Sequence, residues 1–313
     1  MTTTSNATLG FIGLGNMGAP MCRRLVAAGH DVIAFDLRDE AVQAAVEAGA
    51  RRGADPRLVA GEADILLTSL PHPHHVESVM REAGSLAALH SGSVWVDLTT
   101  NRPQVVARLA AEAPEGVEVV DCPVTGAVDG ARTGRLTLFA GGPASARQRV
   151  VPILEHLGRV IECGELGTGN VTKLVTNQLW FVHAAAIGEA FALGMANGVD
   201  LSVLYDAICD SVGDSFVARH DAPSIFAGHY DPSFTVDLCL KDLGLIGELG
   251  SAVGADLPLT DAAHAAFADA ERRYGPDVGE LHVAKRLEDD ADLSFRMPGD
   301  WTPPWDVPES PAD

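Results

Sequence analysis

Gly13-Leu14-Gly15-Asn16-Met17-Gly18 is the stretch on which the reading of this chain turns. It follows a short apolar run, Leu9 to Ile12, and opens a helical pattern from Met17 to Ala28. Strand, glycine turn and helix in that order make a phosphate cradle. Gly13 permits the tight turn, Gly15 lets the main chain approach a pyrophosphate, and Gly18 lets helix and strand pack closely. The helix N-terminus presents N–H groups and the positive end of its dipole to the phosphates. A second apolar run, Asp31 to Phe35, ends at Asp36, about where an acidic residue receives the ribose hydroxyls of a dinucleotide. The six residues of the turn and Asp36 are therefore expected to bind the cofactor. A carboxylate at position 36 repels a 2′-phosphate, so NAD is expected over NADP; Arg38 is the group that would hold that phosphate if NADP is used.

Working outward, Ile65 to Leu70, Val94 to Asp97, Val117 to Val120 and Leu136 to Ala140 read as further strands, the last at an edge. An alanine-rich helix falls between, from about Glu40 to Ala48. This alternation predicts an α/β fold with a mainly parallel sheet covered by helices. Leu70-Pro71, after the third strand, reads equally as a wall of the cofactor cleft and as a plain strand end. His72, His74 and His75 follow, interleaved with proline and without nearby carboxylates. A solvated loop is expected there, and no metal site.

The second half is helical in pattern. Thr168 to Asn197 contains no proline and is apolar almost all the way round, which predicts a buried spine joining two domains. Leu201 to Cys209, Asp237 to Leu249 and Asp261 to Tyr274 follow. We expect a dinucleotide-binding domain over 1–164, a helical domain over 165–297, and a proline-rich tail over 298–313.

The formal net charge of −21 argues against nucleic acid or an anionic membrane as partner. No uninterrupted apolar run has transmembrane length, and the polar stretch from Met1 to Thr8 lacks the features of a signal peptide, so a cytoplasmic location is expected. The five cysteines form no C-x-x-C pair and read as separate reduced thiols. Of 22 basic residues only Lys173, Lys241 and Lys285 are lysines. Where arginine serves as the general cation, a lysine draws attention to its own chemistry.

Four motifs now bear on family. They are Gly10 to Gly18; Asp121-Cys122-Pro123-Val124-Thr125-Gly126-Ala127 with Gly134 and Gly141-Gly142; Gly167-Thr168-Gly169-Asn170-Val171-Thr172-Lys173 with Asn177; and Lys241-Asp242-Leu243. In this order, over about residues 9 to 290, the chain resembles the β-hydroxyacid dehydrogenase family, which includes 3-hydroxyisobutyrate dehydrogenase. The resemblance implies an N-terminal Rossmann domain, a long linking helix and an all-helical C-terminal domain, in homodimers or homotetramers. It implies that the last hydroxyl of Asp97-Leu98-Thr99-Thr100 faces the nicotinamide and that Thr125, Gly126 and Ala127 bind the substrate carboxylate. It further implies Lys173 as the catalytic residue, Asn177 as its substrate-binding partner, and Lys241 as a lysine that closes over cofactor and site. One departure stands out: the family usually has Ser-Gly-Gly where this chain has Thr125-Gly126-Ala127. The added methyl groups are expected to narrow the pocket or shift substrate preference.

The residues themselves support that chemistry. Lys173 and Asn177 are at i and i+4, on one helix face among apolar neighbours. A lysine buried there is expected to have its pKa drawn toward working pH, where it can take a hydroxyl proton as hydride leaves. Arginine stays protonated and cannot. Without the motif, a lysine snorkelling to solvent would be the simpler reading. Lys241 reads equally as a local ion pair with Asp242. The expected activity is NAD(P)-dependent hydride transfer to or from a small 3-hydroxy acid. The alternatives are a semialdehyde or imine reductase, and, from another class, a non-catalytic dinucleotide sensor. Imine reductases usually lack a lysine at position 173, and a sensor would need neither Lys173 nor Asn177.

Overall fold

The computed structural model describes residues 7–299 and Trp301. The chain divides into two compact units, one ending at Lys173 and the other beginning at Leu174.

In the first unit the strands are Leu9–Ile12 (β1), Val32–Phe35 (β2), Arg51–Arg52 (β3), Ile65–Thr68 (β4), Val94–Asp97 (β5), Glu118–Asp121 (β6), Val124–Thr125 (β7), Leu136–Gly141 (β8) and Gly158–Gly164 (β9). They form one sheet in the order β3-β2-β1-β4-β5-β6-β8-β7, with β9 beside β8. The pairs from β3 to β6 are all parallel. β8 runs antiparallel to β6 and β7 and parallel to β9. The expected edge position of β8 is therefore wrong: it has partners on both sides, because β7 and β9, neither of which the sequence pattern reveals, flank it. β9 has a mixed, half-buried surface and no clean apolar run to betray it.

The helices of this unit are Gly18–Ala27 (α1), Asp39–Glu47 (α2), Pro56–Glu62 (α3), Pro73–Glu77 (α4), Ser85–Ala88 (α5), Pro103–Glu112 (α6), Ala127–Thr133 (α7) and Ala144–Leu154 (α8). Alternate strand residues face opposite layers. Leu9, Phe11, Val32, Ala34, Ile65 and Leu67 join one core with Met21 and Leu25 of α1. Ile12, Ile33, Leu66, Trp95 and Val119 join a second core with Val59, Val106 and Leu109. Burial on both faces explains why these strands read as unbroken apolar runs.

Register places the functional end. Ile12 lies opposite both Phe35 and Thr68, Thr68 opposite Asp97, and Asp97 opposite Asp121. The carboxyl ends of five parallel strands thus finish level. The chain order reverses between β1 and β4, and in open parallel sheets ligands bind at that end and that point.

Thr168–Ala196 (α9) starts in the first unit and continues into the second. Leu201–Cys209 (α10), Ala222–Ala227 (α11), Val236–Val253 (α12), Pro258–Tyr274 (α13) and His282–Ala291 (α14) follow. Their core is aromatic: Phe181, Phe191, Phe226, Phe267 and Phe295 are fully buried. The edge-to-face pairs Phe181–Phe267 and Phe191–Phe295 have centroids 5.5 and 5.7 Å apart. Trp301 packs on Phe226 and Tyr205, while Trp305 and most of the proline-rich tail lie outside the described residues.

The structure corrects one expectation about α9. Its apolar circumference predicts burial all round. Phe181, Ala184, Ile187 and Phe191 are buried, but Val175, Leu179 and Leu193 on another face are 48%, 57% and 69% exposed. By length and composition α9 is also the one described helix apolar enough to cross a membrane.

Candidate active site

The glycine turn has the geometry its sequence promised. Gly13 has φ +97°, and a Cβ there would lie 2.2 Å from the carbonyl oxygen of Ser69. A Cβ on Gly18 would lie 1.9 Å from the carbonyl oxygen of Gly13. Around Gly15, by contrast, a Cβ would meet nothing within 4 Å, and no side chain caps the start of α1. An open approach beside uncapped N–H groups is what a pyrophosphate needs.

Asp36 follows β2 beside this turn. Its Oδ2 accepts the Leu14 N–H at 2.7 Å, and Oδ1 accepts the Arg38 N–H at 2.9 Å and the Arg38 Nε–H at 3.2 Å. Burial pushes the carboxyl up, but these bonds outweigh it and hold Asp36 below the ordinary range. An ionised carboxylate has about four lone-pair sites, so beyond those three bonds one remains for a ribose hydroxyl. Arg38 also donates to the Leu14 carbonyl at 2.8 Å, so the guanidinium lies against the turn.

Past the level strand ends lies a buried polar network. Asp97 is fully buried and accepts the Thr68 hydroxyl at 3.0 Å, the Thr99 N–H at 3.1 Å and the Asn101 Nδ2–H at 3.0 Å. Burial raises its carboxyl above the usual range against those bonds. Thr99 Oγ1 accepts the Leu70 N–H at 3.0 Å, tying the Leu70-Pro71 turn to the loop that carries Thr100. The Asn101 N–H donates to Asn170 Oδ1 at 2.7 Å. Asn170 in turn donates its main-chain N–H and its Nδ2–H to Asp121 Oδ2, at 2.7 and 3.1 Å. Asp121 Oδ1 accepts the Gly167 N–H at 2.7 Å. Burial pushes the Asp121 carboxyl up to about 6, with the nearby Asp97 adding to the rise.

Thus the end of β6 is hydrogen-bonded directly to the first turn of α9, and the ends of β5 and β4 are linked to it through Asn101 and Asp97. The close approach explains part of the third motif: a Cβ on Gly169 would lie 2.2 Å from the Phe139 carbonyl oxygen and 2.6 Å from that of Asp121. Asp121 and Asn170 stand in the motifs with no role that the sequence assigns. The available signal is a polar pair in segments that otherwise bury apolar residues.

Along α9 the buried face is polar first and apolar later: Asn170, Lys173 and Asn177 are all buried, at i, i+3 and i+7. Lys173 is 7% exposed, against the snorkelling alternative. In the second unit, Asn177 Nδ2 donates to Asp242 Oδ2 at 2.7 Å, and Lys241 Nζ lies 2.7 Å from Asp242 Oδ1. The Asn177 amide is thereby oriented, its Oδ1 directed away from the acid. Lys241 makes the ion pair that its neighbour predicted, with Asp242 1% exposed. The part of Asp242 in holding Asn177 is not readable from the sequence.

Thr125 ends β7, and Gly126 and Ala127 lead into α7 with φ +122° and +57°. Ala127 thus occupies a left-handed conformation that suits glycine. Of the three histidines, His72 precedes α4 as the loop reading expects, while His74 and His75 are in the helix. Pro73 starts α4 between them, and His74 Nε2 lies 3.1 Å from His75 Nε2. Among the described residues, the group with oxygens close enough to share a cation is Asp221, Asp231 and Glu280, all buried in the helical unit. Asp221 accepts the Trp180 indole N–H at 2.8 Å, and Asp231 the Ser233 N–H at 3.0 Å. All five cysteines are free thiols.

Comparison with known proteins agrees with this arrangement. Residues 8–167 match the model of the NAD binding domain of 6-phosphogluconate dehydrogenase. Residues 167–287 match that of the NAD-binding region of NADP-dependent 3-hydroxyisobutyrate dehydrogenase. The chain is 37% identical over 297 residues to 3-hydroxyisobutyrate dehydrogenase of Pseudomonas aeruginosa, covering 90% of this chain and 99% of that protein. It is 36% identical over 263 residues to 2-(hydroxymethyl)glutarate dehydrogenase of Eubacterium barkeri, covering 83% and 87%. A Mycobacterium tuberculosis 3-hydroxyisobutyrate dehydrogenase solved with L-serine superposes with a TM-score of 0.82 at 31% identity, covering 90% of this chain and 99% of that one. Cradle, strand-end network and lysine helix thus sit in a chain similar to these dehydrogenases over most of its length, and it belongs to the β-hydroxyacid dehydrogenase family of NAD(P)-dependent oxidoreductases acting on small hydroxy acids.

Proposed function

We propose that this enzyme oxidises a 3-hydroxy acid, a carboxylate whose β-carbon bears the reacting hydroxyl, with Lys173 as general acid and base. The observation that carries the reading is the burial of Lys173 between Asn170 and Asn177 on one face of α9. The compounds named for the relatives, 3-hydroxyisobutyrate, 2-(hydroxymethyl)glutarate and L-serine, share a hydroxymethyl group next to the carbon that bears a carboxylate. That shared unit is the proposed recognition element, with the rest of the molecule left to the walls of the pocket.

Gly13, Leu14, Gly15, Asn16, Met17 and Gly18 hold the pyrophosphate in this reading, and Asp36 the adenosine ribose. Leu70, Pro71 and Thr100 border the nicotinamide, and Lys241 contributes from the helical segment. When bound, the nicotinamide accepts hydride in oxidation and returns it in reduction. Lys173 Nζ takes the hydroxyl proton in oxidation and gives it back in reduction. Asn177, fixed by Asp242, offers its amide oxygen to the hydroxyl or to the lysine. Thr125, Gly126 and Ala127 receive the carboxylate. Lys173 favours alcohol and carbonyl chemistry over imine reduction.

The exposed apolar face of α9, with Val175, Leu179 and Leu193, supports a homodimer or homotetramer in which a second copy covers it. We place residues 165–297 as the substrate and dimerisation domain. A reducing, cytoplasmic compartment suits the free thiols. Two measurements test the proposal. The first is a screen of small hydroxy acids and semialdehydes with NAD and NADP; turnover confined to imines, or absent throughout, contradicts it. The second is light scattering on Leu179→Glu, where a mass equal to wild type removes the assigned interface.

A further inference from the structure

We infer that Asp121 and Asn170 are positioning residues for Lys173, fixing the lysine's helix against the strand ends that border the nicotinamide. The inference rests on the proposed role of Lys173. Its basis is a chain of buried hydrogen bonds with no break: Thr68 and Thr99 to Asp97, Asp97 to Asn101, Asn101 to Asn170, and Asn170 to Asp121. Asn170 and Asp121 are fully buried.

Three features make this more than a helix cap. First, Asp121 holds the start of α9 at two points, the Gly167 N–H just before the helix and the Asn170 N–H in its first turn, so both the position and the direction of the helix start are set. Second, Asn170 uses both ends of its amide. Nδ2 donates to β6 through Asp121, while Oδ1 accepts from Asn101, in the loop after β5 that also carries Thr100. Third, Lys173 is one turn beyond Asn170, too close for the intervening helix to absorb a displacement. Moving the first turn would move the lysine by a comparable distance, and a 1 Å misplacement of a catalytic group costs on the order of 10²-fold in rate. A cap needed only for stability would not require the second tie to the Thr100 loop.

The test uses full-length Asp121→Asn and Asn170→Ala, each also combined with Lys173→Ala. Asn170→Ala leaves the main-chain N–H on Asp121 and removes only the side-chain ties, so it decides the matter if Asp121→Asn does not fold. The readouts are kcat with the best hydroxy acid of the screen, its dependence on pH, and NAD affinity by fluorescence titration. Expected is a kcat lowered by about 10- to 100-fold, a displaced pH profile and nearly unchanged NAD affinity. Combined with Lys173→Ala, each should lower the residual rate no further, because residues acting through one group are non-additive. Wild-type kcat and pH profile, an additive loss, or NAD affinity falling in step with kcat overturns the inference. If Lys173→Ala itself turns over normally, the catalytic reading falls and this one with it. If Lys173→Ala is inactive and Asn170→Ala is normal, the positioning role alone falls.

Discussion

One carboxylate oxygen of Asp121, Oδ2, accepts both the main-chain and the side-chain N–H of Asn170, at 2.7 and 3.1 Å. The pair joins the end of β6 to the start of α9, the helix that carries Lys173. Two opposing effects meet at this carboxyl. Removal from water disfavours its charge, and N–H donors favour it. Burial wins, with Asp97 close by adding repulsion, and the group is pushed up to about 6.

That balance makes a pH prediction. The folded-state pKa of Asp121 stands above the unfolded value near 3.8, so the folded chain binds this proton more tightly. The contribution to stability is full below pH 3.8 and is lost as pH rises through about 6. A rise from 3.8 to about 6 is worth about 3 kcal/mol of preference for the protonated form. Carboxyl carbon NMR, with the Asp121 signal assigned by its loss in Asp121→Asn, should show a midpoint near 6. A midpoint below about 4, the ordinary value for an aspartate, would mean that the hydrogen bonds outweigh burial.

NAD should be preferred over NADP. Asp36 is held ionised by Leu14 and Arg38, beside the turn where the adenosine ribose is proposed to bind. Asp36→Ala should raise kcat/KM with NADP relative to NAD, because it removes the repelling charge and releases Arg38 to meet a 2′-phosphate. A wild-type preference for NADP would identify Arg38 as the phosphate ligand already.

Ala127→Gly should change selectivity more than stability. The left-handed conformation costs alanine roughly 1–2 kcal/mol, while glycine's added unfolded freedom returns roughly 0.5–1 kcal/mol. A net gain between about 0 and 1.5 kcal/mol remains. Loss of one methyl group beside the proposed carboxylate site shifts discrimination by roughly 1–3 kcal/mol. Ratios of kcat/KM across a panel of hydroxy acids that match wild type would remove position 127 from the pocket.

How much of this is legible in the sequence follows from where the signals lie. The glycine turn, Asp36 and the strands β1, β2, β4 and β5 are readable because local rules dictate them: unbroken apolar runs, and glycines that close backbone contacts require. β9 and the interior place of β8 are not, since strand pairing depends on partners distant in sequence. The partial burial of α9 escapes for a related reason. An apolar circumference records that surfaces are to be covered, but not that the helix's own chain covers only one of them. Asp121 and Asn170 are visible only as letters in motifs. Their bond joins residues 49 positions apart, which no periodicity reveals. Asp242 reads as the neighbour of Lys241, while its second bond, to Asn177, spans 65 positions.

Whether Lys173 moves the proton is decided by the turnover of Lys173→Ala and Lys173→Arg beside wild type. Lys173→Ala should lower kcat by roughly 10²–10⁴-fold while leaving NAD affinity nearly intact. Lys173→Arg should recover little, because it restores charge but no transferable proton at neutral pH. Wild-type oxidation should rise with pH as the lysine deprotonates, and neither variant should keep that rise. Near-normal turnover of a hydroxy acid by Lys173→Arg, with the wild-type pH dependence, would rule out proton transfer by Lys173 and reduce it to an electrostatic anchor.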